Sequence, residues 1–358
     1  MKRIYFTVGP TELFPEIKSY AMMATKDKIF SVSHRSKEFT IIQLQTCNEL
    51  KKLLCVPKEF HIFFVSSATE AMERVLQNLV CKKSYHFING YFADRFFNIA
   101  KQLKKNPYSI KSEYGSGFDF NKVKIPEDTE LICLTQNETS TGAAIDMKDI
   151  YGLKKKYPHI PVALDVATGV PYYKIDFSKI DIAFFSIQKG FGMPPGMGVI
   201  IIKKSCLKKT EMMLENGYNI GSYHNFLAHA ANAEKYETPV TPNLPAIYML
   251  GKICKLLNER GIDKLRKDTE KKANMLYKFF ENHRFVRPFV KEINLRSKTT
   301  LVFDSVIDTE KIIKKLSDKG FVLSSGYGNF RNSQFRIGNF PVHKSEEVEK
   351  LIHTFGNL

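Results

Sequence analysis

Tryptophan is missing from these 358 residues, and so is any long apolar run. The longest, Met197-Gly198-Val199-Ile200-Ile201-Ile202, has the length of a β-strand and falls far short of the ~18–20 apolar residues that cross a bilayer as a helix. No membrane partner is therefore expected. The opening Met1-Lys2-Arg3-Ile4-Tyr5-Phe6 is basic but lacks the apolar stretch of a secretory signal, which predicts a cytoplasmic protein. Cysteine is sparse. Six residues (Cys47, Cys55, Cys81, Cys133, Cys206 and Cys254) stand at wide, irregular spacings without a CxxC pair. That pattern argues against a zinc site or a disulfide framework and for free thiols in a reducing compartment. Arginine is scarce as well, 11 residues against 43 lysines. The net charge of +17 is thus mostly lysine, scattered in short clusters such as Lys154-Lys155-Lys156. No RNP, zinc-finger or helix-turn-helix pattern accompanies it, and arginine is the favoured base reader. A lysine-rich solvated surface accounts for the charge, no nucleic acid is expected as a partner, and an enzyme for anionic metabolites would tolerate it.

What is present is a good supply of core. Hydrophobic residues make up 43% of the chain, enough for a sizeable core or for two domains. Strand-length apolar stretches occur at 61–65, 84–88, 131–135, 161–165, 181–187 and 198–203. Helical stretches separate several of them, one at 69–81 with Met72, Val75, Leu76 and Leu79 on one face, another near 92–103. Strands alternating with helices predict an α/β architecture around a mainly parallel sheet, with ligands beyond the carboxyl ends of the strands. The character changes near residue 240, where Pro239, Pro242 and Pro245 punctuate the chain. A charged helical region, 246–282, follows and breaks at Gly261. Then come strand 299–303, helix 309–317, strands 321–325 and 334–339, and helix 345–355. This pattern predicts a large α/β domain over 15–245 and a smaller α+β domain over 246–358 that also takes in residues 1–14.

Three strand ends carry candidate chemistry. At 181–190 an apolar strand runs into Ser186-Ile187-Gln188-Lys189-Gly190 and then a Gly/Pro-rich turn. A lysine at a strand's carboxyl end can condense with an aldehyde if its pKa is lowered, although an ordinary loop lysine has the same local appearance. At 161–169 Asp165 ends a second buried strand. A carboxylate there is costly unless paired, and a helix N-cap is the alternative. At 63–70 a strand turns through Ser66-Ser67-Ala68-Thr69 into a helix. Ser67 and Glu70 fit a capping box, and the same turn can offer backbone N–H groups to a phosphate. His224 and His229, five residues apart, do not share a helix face and read as structural or surface residues; no metal is expected.

With these residues in place, the chain resembles the class V (fold-type I) pyridoxal 5'-phosphate (PLP) aminotransferases, most closely their phosphoserine-converting members. The likeness runs through Phe6-Thr7-Val8-Gly9-Pro10-Thr11, Ser33-His34-Arg35-Ser36-Lys37-Glu38-Phe39, Asn137-Glu138-Thr139 with Gly142, Asp165, and Gln188-Lys189, all in the family's order. It implies a seven-stranded-type, mainly parallel sheet in the large domain and PLP as cofactor. Lys189 is then the lysine that carries the cofactor and shuttles the proton, and Asp165 pairs with the pyridine nitrogen. Ala68, Thr69 and Gln188 hold the phosphate, Thr139 bonds the phenolic oxygen, and Phe92 stacks on the ring where the family commonly has tryptophan. Thr241 and Asn243 reach the neighbouring subunit's phosphate, which implies a homodimer with active sites at its interface. Arg336, in Phe335-Arg336-Ile337-Gly338, clamps the α-carboxylate of an amino-acid substrate, and His34 and Arg35 contact the phosphate of phosphoserine, with 2-oxoglutarate as acceptor. One departure stands out: Met193-Pro194-Pro195-Gly196-Met197-Gly198 is closer to the alanine– and serine–glyoxylate enzymes, which are the alternative. A PLP lyase would need a reactive cysteine on a flexible loop, and a non-enzymatic nucleic-acid-binding α/β protein would have no bound chromophore.

Overall fold

The computed structural model describes residues 3–358. Among them, strands follow in the order β1 (Ile4–Phe6), β2 (Phe60–Val65), β3 (Ser84–Ile88), β4 (Tyr108–Lys111), β5 (Leu131–Thr135), β6 (Asn137–Glu138), β7 (Ala143–Ala144), β8 (Val162–Asp165), β9 (Ile182–Ser186), β10 (Gly198–Lys203), β11 (Val286–Pro288), β12 (Thr300–Ser305), β13 (Phe321–Ser325) and β14 (Gln334–Gly338). Seven form one sheet in the order β2-β10-β9-β8-β5-β3-β4. β10 is antiparallel to both its neighbours and the other pairings are parallel. All strands except β10 therefore end at one edge. The six apolar stretches of the sequence are β2, β3, β5, β8, β9 and β10, with ends displaced by at most one residue.

Burial on both faces is why those stretches are continuous. Val199 and Ile201 of β10 enter one core, Ile200 and Ile202 the other. A doubly covered strand needs an apolar residue at every position, so the alternation of a half-exposed strand disappears. β4 escapes the sequence reading because it is a four-residue edge strand whose residues alternate between half-buried and exposed.

Helix Ala68–Leu79 covers one face and buries Met72, Val75, Leu76 and Leu79, each worth ~1.5–3 kcal/mol. On the other face lie Lys37–Leu54 and Leu244–Arg260. The first begins at Lys37 because Ser36 caps it, its hydroxyl accepting the Phe39 N–H at 3.2 Å. The second packs Leu244, Ile247, Leu250, Ile253 and Leu257 into the same core as the large sheet, despite the prolines before it.

Five of the remaining strands form a second sheet, β1-β13-β14-β12-β11, with β1 parallel to β13 and the rest antiparallel, and β6 and β7 pair with each other as a short antiparallel ladder. Helices Ile262–Glu281, Thr309–Asp318 and Ser345–Gly356 contribute to a separate core around Phe280, Phe303 and Phe335.

Candidate active site

Five strand ends of the large sheet converge on one edge. Asp165 ends β8, β9 runs on to Gln188-Lys189, and β2 leads into Ser66–Thr69. β3 leads into Gly90-Tyr91-Phe92 and β5 into Asn137-Glu138-Thr139. This is where a parallel sheet binds ligands. Val65 and Ser186 flank Gly198 in register, and Ser186 Oγ accepts the Ala68 N–H at 2.7 Å. The lysine loop and the turn after β2 are thereby fixed side by side. Gly198 is required by this approach, since a Cβ there would lie 2.5 Å from the Ser67 carbonyl carbon.

Lys189 is held from below by the N-terminal segment. A Cβ on Gly9, whose φ is +142°, would meet Lys189 Cγ at 2.9 Å, and Thr11 N–H donates to the Gln188 carbonyl at 3.1 Å. Lys189 Nζ lies 5.2 Å from the centre of the Phe92 ring. Burial lowers the amine's pKa; Asp165 and Glu138 oppose the shift, and Arg336 and Arg95 reinforce it. Asp165 is buried, with Oδ1 accepting the Ala167 N–H at 2.8 Å. Burial pushes this carboxyl up to about 6, against the opposing pull of Lys189.

Phe92 is placed by Glu138, a fully buried carboxylate. It accepts the N–H groups of Phe92 at 3.1 Å, Ala93 at 2.9 Å and Ser140 at 3.0 Å. The charge sits at the positive end of helix Tyr91–Gln102. Thr139 Oγ1 lies 3.1 Å from Thr168 Oγ1, and its carbonyl accepts from Arg336 Nη1 at 3.2 Å. Arg336 is only 8% exposed, and its Nε donates to the Ser325 carbonyl at 2.8 Å. Burial draws its pKa down to about 10, which leaves it cationic at neutral pH. A buried guanidinium bonded to carbonyls, with no carboxylate in an ion pair among the described residues, is a ready place for an anion.

The turn after β2 differs from a simple capping box. Ser67 Oγ accepts the Glu70 N–H at 3.0 Å, but Glu70 reaches past Ser67 to the Ser66 N–H at 2.7 Å and to His224 Nδ1 at 2.7 Å. His224 thus supports the turn, while His229 is buried and stacks on Phe63 at 5.0 Å. Ala68 N–H is committed to Ser186, and exposed Thr69 stands in the first turn of its helix. Gln188 Oε1 is buried without a partner. A half-turn of that amide would present its N–H2 group to an anion. A lowered-pKa amine, a buried carboxylate, an aromatic face and a helix N-terminus together fit a flat heteroaromatic aldehyde bearing a phosphate.

The other four expected residues are bonded within the chain, and of these only His34 and Thr241 meet each other. Arg35 pairs with Glu237 at 2.5 Å and donates to Asn232 Oδ1 at 2.8 Å. His34 Nδ1 lies 3.3 Å from Thr241 Oγ1. Asn243 Oδ1 accepts the Ala246 N–H at 3.2 Å and so caps helix Leu244–Arg260. Thr241 and Asn243 also line a cavity of about 180 Å³ with Ser66, Gly196 and His224.

Fold and site together define an α/β transferase built around one strand-end lysine, and comparison with known proteins narrows this. The sequence pattern of the family Aminotransferase class-V matches residues 7–332, and the chain belongs to that family of PLP-dependent enzymes. It is 26% identical to the phosphoserine aminotransferase of Rhodococcus jostii over 352 residues, 97% of this chain and 92% of the relative. A solved phosphoserine aminotransferase from Cytophaga hutchinsonii superposes with a TM-score of 0.97 at 37% identity, covering 99% of this chain and 98% of that one. An alanine–glyoxylate aminotransferase from Nostoc superposes with a TM-score of 0.81 at 19% identity, covering 100% and 95%, and shares the fold.

Proposed function

We propose that this aminotransferase moves the amino group of phosphoserine to 2-oxoglutarate, giving 3-phosphohydroxypyruvate and glutamate. The observation that carries the reading is the 37% identity, over nearly the whole chain, to the Cytophaga hutchinsonii phosphoserine aminotransferase. When bound, PLP supplies the electron sink that makes the substrate's α-proton removable. Lys189 would hold the cofactor covalently and carry the proton between the two carbons. Asp165, ionised at a cost while buried, would be stabilised by a protonated ring nitrogen. Phe92 would stack on the ring, without the N–H a tryptophan would add. Thr139 would bond the phenolic oxygen, and Ala68, Thr69 and Gln188 would hold the phosphate at the helix N-terminus. Arg336 would take the α-carboxylate with its planar fork.

The same reading extends to assembly. Thr241 and Asn243 would serve the phosphate of a neighbouring subunit in a homodimer, with His34 and Arg35 at the same junction. In this chain Glu237 already holds Arg35 and would compete with a substrate phosphate for its charge. The smaller domain would begin at Gly261 rather than at 246, because Leu244–Arg260 packs with the large sheet. The enzyme would work in the cytoplasm.

The glyoxylate-type alternative rests on Pro194-Pro195-Gly196. The decisive measurement is kcat/KM for phosphoserine, serine and alanine, with 2-oxoglutarate and glyoxylate as acceptors. Phosphoserine should lead by tenfold or more, since charge-assisted contacts to a phosphate contribute roughly 1.5–3 kcal/mol each. Equal use of alanine or serine would overturn the assignment.

A further inference from the structure

We propose that Arg95, paired with Tyr327, reads the distal anion of the substrate, the phosphate of phosphoserine and the γ-carboxylate of glutamate or 2-oxoglutarate alike. The inference rests on the dianionic substrates of the preceding reading. Arg95 stands one turn beyond Phe92 on helix Tyr91–Gln102, so both side chains share a face. Its guanidinium carbon lies 5.3 Å from the centre of the Phe92 ring, the ring that also carries Lys189 Nζ at 5.2 Å. Its charge bears on the lysine amine.

Arg95 is exposed, and among the described residues no carboxylate forms an ion pair with it; the adjacent Asp94 is bonded to Asn98. Its side-chain partner is Tyr327 Oη, 3.0 Å from Nη2. Tyr327 also lies under Arg336, whose guanidinium carbon is 5.4 Å from the ring centre. One tyrosine therefore stands between two guanidiniums that lack carboxylates. Its oxygen accepts from Arg95 and keeps its own O–H to donate, so the pair offers an anion both N–H and O–H donors. The turn carrying Tyr327 is fixed, because the Asn329 N–H donates to Tyr91 Oη at 2.9 Å and Gly328, at φ +57°, leaves room for the Tyr91 ring.

A donor whose α-carboxylate lies on Arg336 directs its side chain away from that residue, and Arg95 is the next unneutralised cation beside Lys189. Arg35, by contrast, is already matched by Glu237. A single flexible reader also explains how one pocket accepts a phosphate in one half-reaction and a carboxylate in the other.

The experiment measures kcat/KM for phosphoserine, glutamate and alanine with the PLP-loaded wild type, Arg95→Gln, Arg95→Lys and Arg35→Gln, and records the absorption spectrum of each. The expected result is that Arg95→Gln lowers the phosphoserine-to-alanine ratio roughly ten- to hundredfold, mainly through KM. The glutamate-to-alanine ratio should fall with it, the spectrum should stay unchanged, and Arg95→Lys should recover part of the loss. An equal fall for all three donors, with an altered spectrum, would mean that Arg95 only supports Phe92 and would overturn the proposal. So would a collapse of the ratio in Arg35→Gln but not in Arg95→Gln. A wild type that uses alanine as well as phosphoserine would remove the phosphoserine reading itself and this inference with it, a failure visible before any variant is made.

Discussion

Arg336 and Arg35 make the informative comparison. Both are arginines that a likeness to known enzymes places on the substrate. Arg336 is 8% exposed and bonded to carbonyls; the Arg35 side chain is 46% exposed and sits 2.5 Å from Glu237. The first is electrically incomplete, the second complete. An exposed ion pair contributes only about 0.2–1 kcal/mol and opens easily, whereas an unmatched buried charge costs several. The difference teaches that a ligand site is marked less by the charges it contains than by the counter-charges it lacks. Arg336 meets that description, and the group of His34, Arg35, Thr241 and Asn243, in which Glu237 matches Arg35, does not within one chain.

The contrast can be broken most severely at Lys189. Lys189→Ala should cut turnover by roughly 10²–10⁴-fold or more, the range a positioned proton-transfer group supplies. Borohydride treatment and peptide mapping of the wild type should find the cofactor on this residue, and a different lysine would undo the assignment. Asp165→Asn comes next. Loss of the buried partner of a ring charge costs on the order of 3–5 kcal/mol, of which each 1.4 kcal/mol reaching the barrier is tenfold in rate. Near wild-type kcat in this variant would place the ring nitrogen elsewhere.

The same substitution should act in the opposite direction on the cofactor-free chain. Asp165 titrates at about 6 in the fold, above its ordinary 3.8, so folding favours its neutral form. The stability it contributes is complete below about pH 4 and is lost as pH rises through 6. Cofactor-free Asp165→Asn should therefore be more stable than wild type at pH 8, by up to about 3 kcal/mol, with the gap closing toward pH 4. Thermal unfolding across that range checks it, and a gap that grows on acidification would refute the sign. Arg336→Gln should lower kcat/KM for every amino donor roughly ten- to hundredfold, with KM taking most of it. The smallest effect belongs to the complete cluster. Arg35→Leu should shift unfolding free energy by only about 0.2–1 kcal/mol, and a larger change would show that its pair with Glu237 does more than a surface contact.

The sequence announces the large sheet because burial on both faces writes it as uninterrupted apolar runs, and Asp165 and Lys189 because they end such runs. The pairs that complete the site are invisible locally. Arg95 meets Tyr327 from 232 positions away, and Glu70 meets His224 from 154. Glu138 is readable as part of a motif, but its task of holding the helix that carries Phe92 exists only once β5 lies beside β3. The prolines at 239–245 suggest a boundary, yet the helix that follows them, Leu244–Arg260, packs into the core of the large sheet, a contact no local pattern announces.

The pairing of the earliest strands with late ones sets an order of manufacture. β2 is locked into the large sheet by β10, and Ile4 of β1 pairs with Phe321. At ~5–20 residues per second, a ribosome needs roughly 15–60 s between making those last two partners. Throughout that interval the N-terminal segment cannot take its place in the sheet that anchors Gly9 beneath Lys189. The pocket is thus among the last parts of the newborn chain to take shape, and a truncated product would carry the lysine without the floor that supports it.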